Sequence, residues 1–198
     1  INEQRRKDGK LPANGVWFWA EGTGVELRSF EEQFRHSGAV ISAVPLCHGI
    51  ARLSGLDVIE VEGATGELDT NLEGKVNACV EALKGKYDFA AIHVEAPDEC
   101  THNGDLKGKL QAIEWLDSRV FVPLTEALAK EPFDYRILFL SDHKTLTSTR
   151  GHDGDPVPFM IYDSRKDTGA GLPYTEEAGL KGPYLEAGTS LMPMLFEL

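Results

Sequence analysis

Short apolar runs alternate along this chain with segments whose apolar residues recur at helical spacing. That alternation constrains the fold more than any other feature. The runs "AVISAV" (39–44), "DVIEVEG" (57–63), "YDFAAIHVE" (87–95), "YRILFLS" (135–141) and "VPFMIY" (157–162) read as strands. Between them, "PLCHGIARLSG" (45–55) and "KVNACVEALKG" (75–85) read as helices. The longest periodic stretch carries Leu106, Leu110, Ile113, Leu116, Val120, Leu124 and Leu128, with Pro123 placed to kink or split it. Strands separated by helices predict an α/β fold, a mostly parallel sheet flanked by helices on both faces. "SFEEQFRHSG" (29–38) is expected to be a short helix capped by Ser29, "VWFWA" (16–20) a short strand, and "LEAGTSLMPMLFEL" (185–198) a closing helix. The segment 63–74 is expected to be a loop.

At 198 residues the chain suits one domain, or one domain and part of another. Lys and Arg number 20 against 32 Asp and Glu, a formal net charge of -12. A surface this acidic repels phosphate backbones and anionic lipid, so neither nucleic acid nor membrane is expected as a partner. No apolar run approaches the roughly twenty residues of a bilayer span, and no secretory h-region is visible. Cys47, Cys79 and Cys100 lack CxxC spacing, which fits reduced thiols in a cytoplasmic protein. The first residue is Ile1 and all three methionines lie near the far end, so Ile1 is not expected to be a translation start.

Two clusters carry the chemistry. "HVEAPDECTHNGD" (93–105) follows one apolar strand, and "SDHKTLTSTRGHDGDPVPF" (141–159) follows another. In open α/β sheets ligands bind outside the carboxyl ends of the strands, so both clusters can share one rim. Asp98 and His102 are four apart; on a helical turn both point one way and can hold one cation. Asp142 and His143 are adjacent, and an extended segment would send them to opposite sides, to reach different metals or to bracket a pair. His152 lies in what reads as a loop able to fold back. Carboxylate oxygen with imidazole nitrogen suits Mn²⁺ or Zn²⁺, whereas Mg²⁺ prefers oxygen alone. His36 and His48 read as structural or surface residues, and His93 as packed within its strand. Glu95, Glu99 and Asp105 read as solvated loop acids or as groups orienting the imidazoles; Cys100 is a less favoured soft ligand.

The motifs "EAPDECTHNGD", "SDH" and "RGHDGDPVPF" resemble those of the cofactor-independent (2,3-bisphosphoglycerate-independent) phosphoglycerate mutases, archaeal-type branch, within the alkaline phosphatase superfamily. "LPANGVWFWAEG", "GAVISAVPLCHGIA" and "EGATGELDTNLEGK" look like the same branch, so the resemblance covers nearly the whole chain. It implies an alkaline phosphatase-like fold, incomplete here because only the C-terminal half of the family is represented. It implies two divalent metal ions: manganese first, with zinc, cobalt or magnesium in some members. Asp98, His102 and His152 would hold one ion, and Asp142 and His143 the other. The implied activity is interconversion of 3-phosphoglycerate and 2-phosphoglycerate through a metal-activated phosphoserine. The family's nucleophilic serine and the aspartate near its N-terminus have no counterpart here. Ser42, Ser54, Ser141 and Ser148 do not occupy the nucleophile's context. "DHKTLTSTR" also lacks the prolines that usually flank the threonine. Residues 1–35 are expected to be a remnant of the inserted substrate domain and its linker, and residues 36–198 the C-terminal part of the metal-binding domain. A sheet lacking half its strands is expected to self-associate through its exposed edge. Another metal-dependent phosphatase or phosphomutase of the superfamily, or a non-catalytic metal-binding module, is the alternative.

Overall fold

The computed structural model describes residues 1–18, 21–166 and 171–197. Three parallel strands form the central sheet in the order β2-β1-β3: β1 is Gly38–Ile41, β2 Asp57–Ile59 and β3 Phe89–Ile92. Helix α3 (Pro45–Leu53) connects β1 to β2, and α4 (Leu72–Gly85) connects β2 to β3. Ala39 and Ile41 of the middle strand are fully buried. Gly38 is required where it stands, because a Cβ there would meet Leu56 and Phe89.

One face of the sheet carries the main core. Ile41 packs with Leu72, Val76, Cys79 and Val80 of α4 and with Val120, Leu124 and Leu128 of the long helical stretch. Burial of the Cys79 thiol pushes its pKa up to about 12, so it behaves as a small apolar group. Helix α4 starts at Leu72 rather than Lys75, because the Asn71 side chain accepts from the Gly74 N–H and caps it. The long helical stretch is divided, as Pro123 requires. Helix α6 (Leu106–Trp115) passes into a π-helical turn (Leu116–Phe121) and then into α7 (Val122–Leu128). Proline has no N–H to continue the i→i−4 ladder, and the widened turn before it absorbs the mismatch.

The other strands depart from the parallel pattern. Strand β4 (Arg136–Leu140) pairs antiparallel with β7 (Phe159–Asp163), not with β3. A small hairpin between them pairs β5 (Lys144–Leu146) with β6 (Gly151–Asp153). So the parallel sheet flanked by helices is present, and two antiparallel pairs accompany it.

Before the sheet, α1 spans Asn2–Lys7 and α2 spans Phe30–Phe34. Ser29 and Glu32 form a capping box at the start of α2, and Phe30 stacks on Phe89. Val16, Trp17 and Phe18 were expected in a strand but are non-helical, unpaired and 82–90% exposed; Trp19 and Ala20 of that run lie outside the described residues. Among the described residues this run has no neighbouring strand to pair with, and β-propensity alone does not hold it. The expected closing helix is shorter than the run 185–198. After α8 (Glu176–Gly179), a 3₁₀ turn at Gly188–Ser190 leads into α9 (Leu191–Phe196); Leu198 lies outside the described residues.

Candidate metal centre

Helix α5 (Ala96–His102) begins four residues after β3, with Pro97 in its first turn. Its one-turn spacing places Asp98 and His102 on the same side, with His102 Nε2 3.1 Å from Asp98 Oδ2. The β5–β6 hairpin folds over this helix and delivers His152 from β6, a strand rather than the expected loop. His152 Nε2 lies 3.0 Å from His102 Nε2 and 3.4 Å from Asp98 Oδ1. Three ligand atoms from residues up to 54 positions apart therefore converge on one point.

The surroundings fix the tautomer of one of these rings. His102 Nδ1 is 2.7 Å from the Arg150 carbonyl oxygen, which accepts its proton and leaves the Nε2 lone pair facing Asp98 and His152. Arg150 itself has φ +56, a left-handed conformation that turns the hairpin. Its guanidinium lies over Gly104, where a Cβ would collide with it. Thr145 on β5 donates its hydroxyl proton to Asp98 Oδ1 and so orients the carboxylate. Two imidazole Nε2 atoms at 3.0 Å with a carboxylate beside them form a donor set that a divalent ion satisfies better than a single shared proton. The residues fit a nitrogen-and-oxygen metal site.

Asp142 and His143 do not diverge as an extended segment would require. The chain bends there, so the two side chains meet, with Oδ2 to Nε2 at 3.3 Å. The Asp142 carboxylate also accepts from the His143 N–H at 3.0 Å. The His143 ring stacks on His152 with centroids 3.8 Å apart, which sets this two-donor pair beside the three-donor group.

The remaining acids and histidines sort by contact. Glu95 and Glu99 group with Asp98 in a carboxylate-only cluster. Asp105 caps α6 by accepting from the Gly108 N–H. Cys100 is buried against α6, and burial raises its pKa, so it is a packing residue. His93 lies just past β3 with Nδ1 3.1 Å from Ser42 Oγ, and its pKa is lowered by burial and then by the charge of Lys75. His48 Nε2 bonds the Ser42 carbonyl, and His36 stacks on Phe196. Ser42 is buried, and its oxygen already accepts from the Val44 N–H.

Thr145 and the Arg150 carbonyl escaped notice in the sequence. A threonine in a polar loop has no signature, and a carbonyl carries none at all. Thr145→Val is expected to keep the fold and lower Mn²⁺ affinity about 10- to 100-fold, the usual cost of losing a supporting partner around a metal ligand. Calorimetric titration of both proteins measures it.

Carboxylate and imidazole donors brought together from the helix after β3, the turn after β4 and the β5–β6 hairpin have the chemistry of a metal-binding protein. The chain belongs to the metalloenzyme superfamily, whose family model matches residues 2–194. Its relatives include the 2,3-bisphosphoglycerate-independent phosphoglycerate mutase of Methanosarcina acetivorans, 45% identical over 181 residues, which are 91% of this chain and 45% of that protein. The probable mutase of the same name from Geobacter sulfurreducens is 45% identical over 196 residues, 98% of this chain and 49% of that protein. A Pyrococcus horikoshii protein of solved structure matches with TM-score 0.79 at 31% identity, over 99% of this chain and 52% of that one. The cofactor-independent phosphoglycerate mutase from Thermoplasma acidophilum shares the fold, with TM-score 0.61 at 22% identity over 100% of this chain and 45% of that one. The resemblance read from the motifs is borne out. The chain spans about half the length of the relatives it matches.

Proposed function

We propose that this chain supplies the metal-ligating part of an enzyme that interconverts 3-phosphoglycerate and 2-phosphoglycerate. The convergence of Asp98, His102 and His152, in a chain whose relatives carry that mutase name, is the observation that supports it. Asp98, His102 and His152 hold one divalent ion, and Asp142 and His143 contribute to a second, with manganese the first choice. When bound, the ions polarise phosphoryl oxygens and stabilise the attacking and leaving oxygens of the transfer. The protein's own groups keep the ligands in place: Thr145 orients Asp98, the Arg150 carbonyl orients His102, and His143 is braced by stacking on His152. In this assignment residues 1–35 are a remnant of the substrate domain and its linker, residues 36–198 belong to the metal-binding domain, and the substrate is a small phosphorylated carboxylic acid. The three free cysteines suit a cytoplasmic setting. No helix among the described residues is long and apolar enough to cross a membrane.

The test is enolase-coupled conversion of 3-phosphoglycerate, with Mn²⁺ present, by this chain joined to the part of its relatives that it does not cover. Turnover supports the mutase. Hydrolysis of some other phosphate ester without mutase turnover would replace it with another phosphatase or phosphomutase of the superfamily.

The same proposal extends to association. Among the described residues β2, β3 and β4 each have one edge without a partner strand. Leu46, Ile50 and Leu53 line one face of α3 and are 51–70% exposed, and Leu106, Leu110 and Ile113 do the same on α6 at 48–57%. Unpaired edges and apolar stripes favour pairing with another chain. The isolated chain is expected to sediment as dimers or larger species at micromolar concentration. A monodisperse monomer would contradict this.

A further inference from the structure

The β5–β6 hairpin that delivers His152 stands apart from the other two sheets, and each of its strands is three residues long. A two-stranded hairpin this short is not stable by itself in water. Its place over α5 therefore depends on side-chain ties. Two of them, from Thr145 to Asp98 and from the Arg150 carbonyl to His102, use the ligands themselves. A third does not. Lys109, on α6, donates from Nζ to the Thr145 carbonyl oxygen at 2.7 Å.

Thr145 is the residue on which the ligands lean. Its hydroxyl donates to Asp98 Oδ1 and lies 3.3 Å from His143 Nδ1. A hydroxyl has one proton, so with that proton on Asp98 the oxygen accepts from the His143 Nδ1–H. The Lys144 carbonyl oxygen, also 3.3 Å from that nitrogen, requires the same tautomer. His143 Nε2 is then left with its lone pair toward Asp142. Thr145 is also the cross-strand partner of His152 in the hairpin, so the two side chains share one face. Three proposed ligands, Asp98, His143 and His152, thus take their places from one buried residue.

Lys109 reaches Thr145 from a firm base. The adjoining Gly108 is buried, and a Cβ there would meet the Asp105 carboxylate and the Cys100 Sγ, the latter on α5. Helix α6 is therefore closely packed on the ligand-bearing helix at this point. An ammonium one residue further on ties β5 to the same pair of helices, with a charged donor and so a stronger bond than a neutral one.

We propose that Lys109 is a positioning residue for the metal centre: its ammonium pins the Thr145 carbonyl to α6 and so fixes, through that one residue, Asp98, His143 and His152. This rests on Asp98, His102 and His152 being a metal site. Lys109 touches none of the proposed ligands, and acts on all three through the backbone that carries Thr145.

The test is calorimetric titration of Mn²⁺ into the chain as it is. Lys109→Met keeps the stem and removes the donor, and should lower affinity about tenfold, the lower end of the cost of losing a supporting partner around a metal ligand. Lys109→Gln, whose amide is too short to reach the carbonyl, should show the same loss and serves where the methionine variant does not fold. Lys109→Arg restores a charged donor and should bind within about threefold of wild type. In a Thr145→Val background, Lys109→Met should cost less than about threefold, because residues that act through one another are not additive. A lysine that merely steadied the fold would cost the same in both backgrounds. Unchanged Mn²⁺ affinity in Lys109→Met, an equal loss in Lys109→Arg, or full additivity with Thr145→Val would each overturn the role of Lys109 while leaving the centre intact. Wild-type Mn²⁺ binding insensitive to His102→Ala would overturn the centre itself and this inference with it.

Discussion

Replacing His102 by alanine is expected to lower Mn²⁺ affinity by more than about 100-fold, beyond the usual cost of losing a supporting partner outside the ligand set. The reason is geometric. Its Nε2 sits 3.1 Å from Asp98 and 3.0 Å from His152, so its removal leaves two donors where three converged. It also frees the Arg150 carbonyl that held the ring's proton. His143→Ala should cost less in this chain, because Asp142 and His143 bring only two donors together. One ion per chain is therefore expected in wild type, at the three-donor group. Binding also requires neutral imidazoles, so affinity should fall on acidification and recover when the acid is neutralised. Calorimetry with Mn²⁺ on the wild-type and His102→Ala proteins decides the matter. Equal binding by the two would remove these residues from the metal site.

The second large effect concerns turnover. The isolated chain is expected to show no detectable conversion of 3-phosphoglycerate to 2-phosphoglycerate, and at most a trace of hydrolysis of a generic phosphate ester. A transfer that returns the phosphoryl group to a neighbouring hydroxyl needs a nucleophile to hold it in between. Two hydroxyls near the ligands are engaged otherwise: Thr145 donates to Asp98, and buried Ser42 bonds His93 and the Val44 N–H. Joining the chain to the part of its relatives that it does not cover should restore interconversion. In that completed protein His143→Ala should lower turnover by at least about 100-fold, since it removes a proposed ligand of the second ion. Strong mutase turnover by the isolated chain, in the enolase-coupled assay with Mn²⁺ present, would mean that one of its own side chains serves as the nucleophile.

Much of this architecture was legible in the sequence because it is local. The apolar runs of β1 and β3, the Ser29 capping box and the break at Pro123 all follow from side-chain preferences within a few residues. The pairing of Asp98 with His102 follows from helical spacing once α5 forms. Other features depend on which segments meet. Strand β4 has the same apolar character as β3, yet it pairs antiparallel with β7, because a strand's partner is chosen by the chain that reaches it and not by its composition. The exposed run at 16–18 has strand-forming residues and no described partner. A bend at Asp142–His143 reverses the divergence that an extended backbone would impose. Lys75 reads in the sequence as an ordinary helix lysine, and only packing makes it a buried charge. The sequence by itself determined the residue types of the metal centre and the strand ends that carry them. The tertiary structure decided which atoms converge, because a hairpin closing over α5 brings His152 to His102 across fifty residues, and no local preference encodes a distance of that kind.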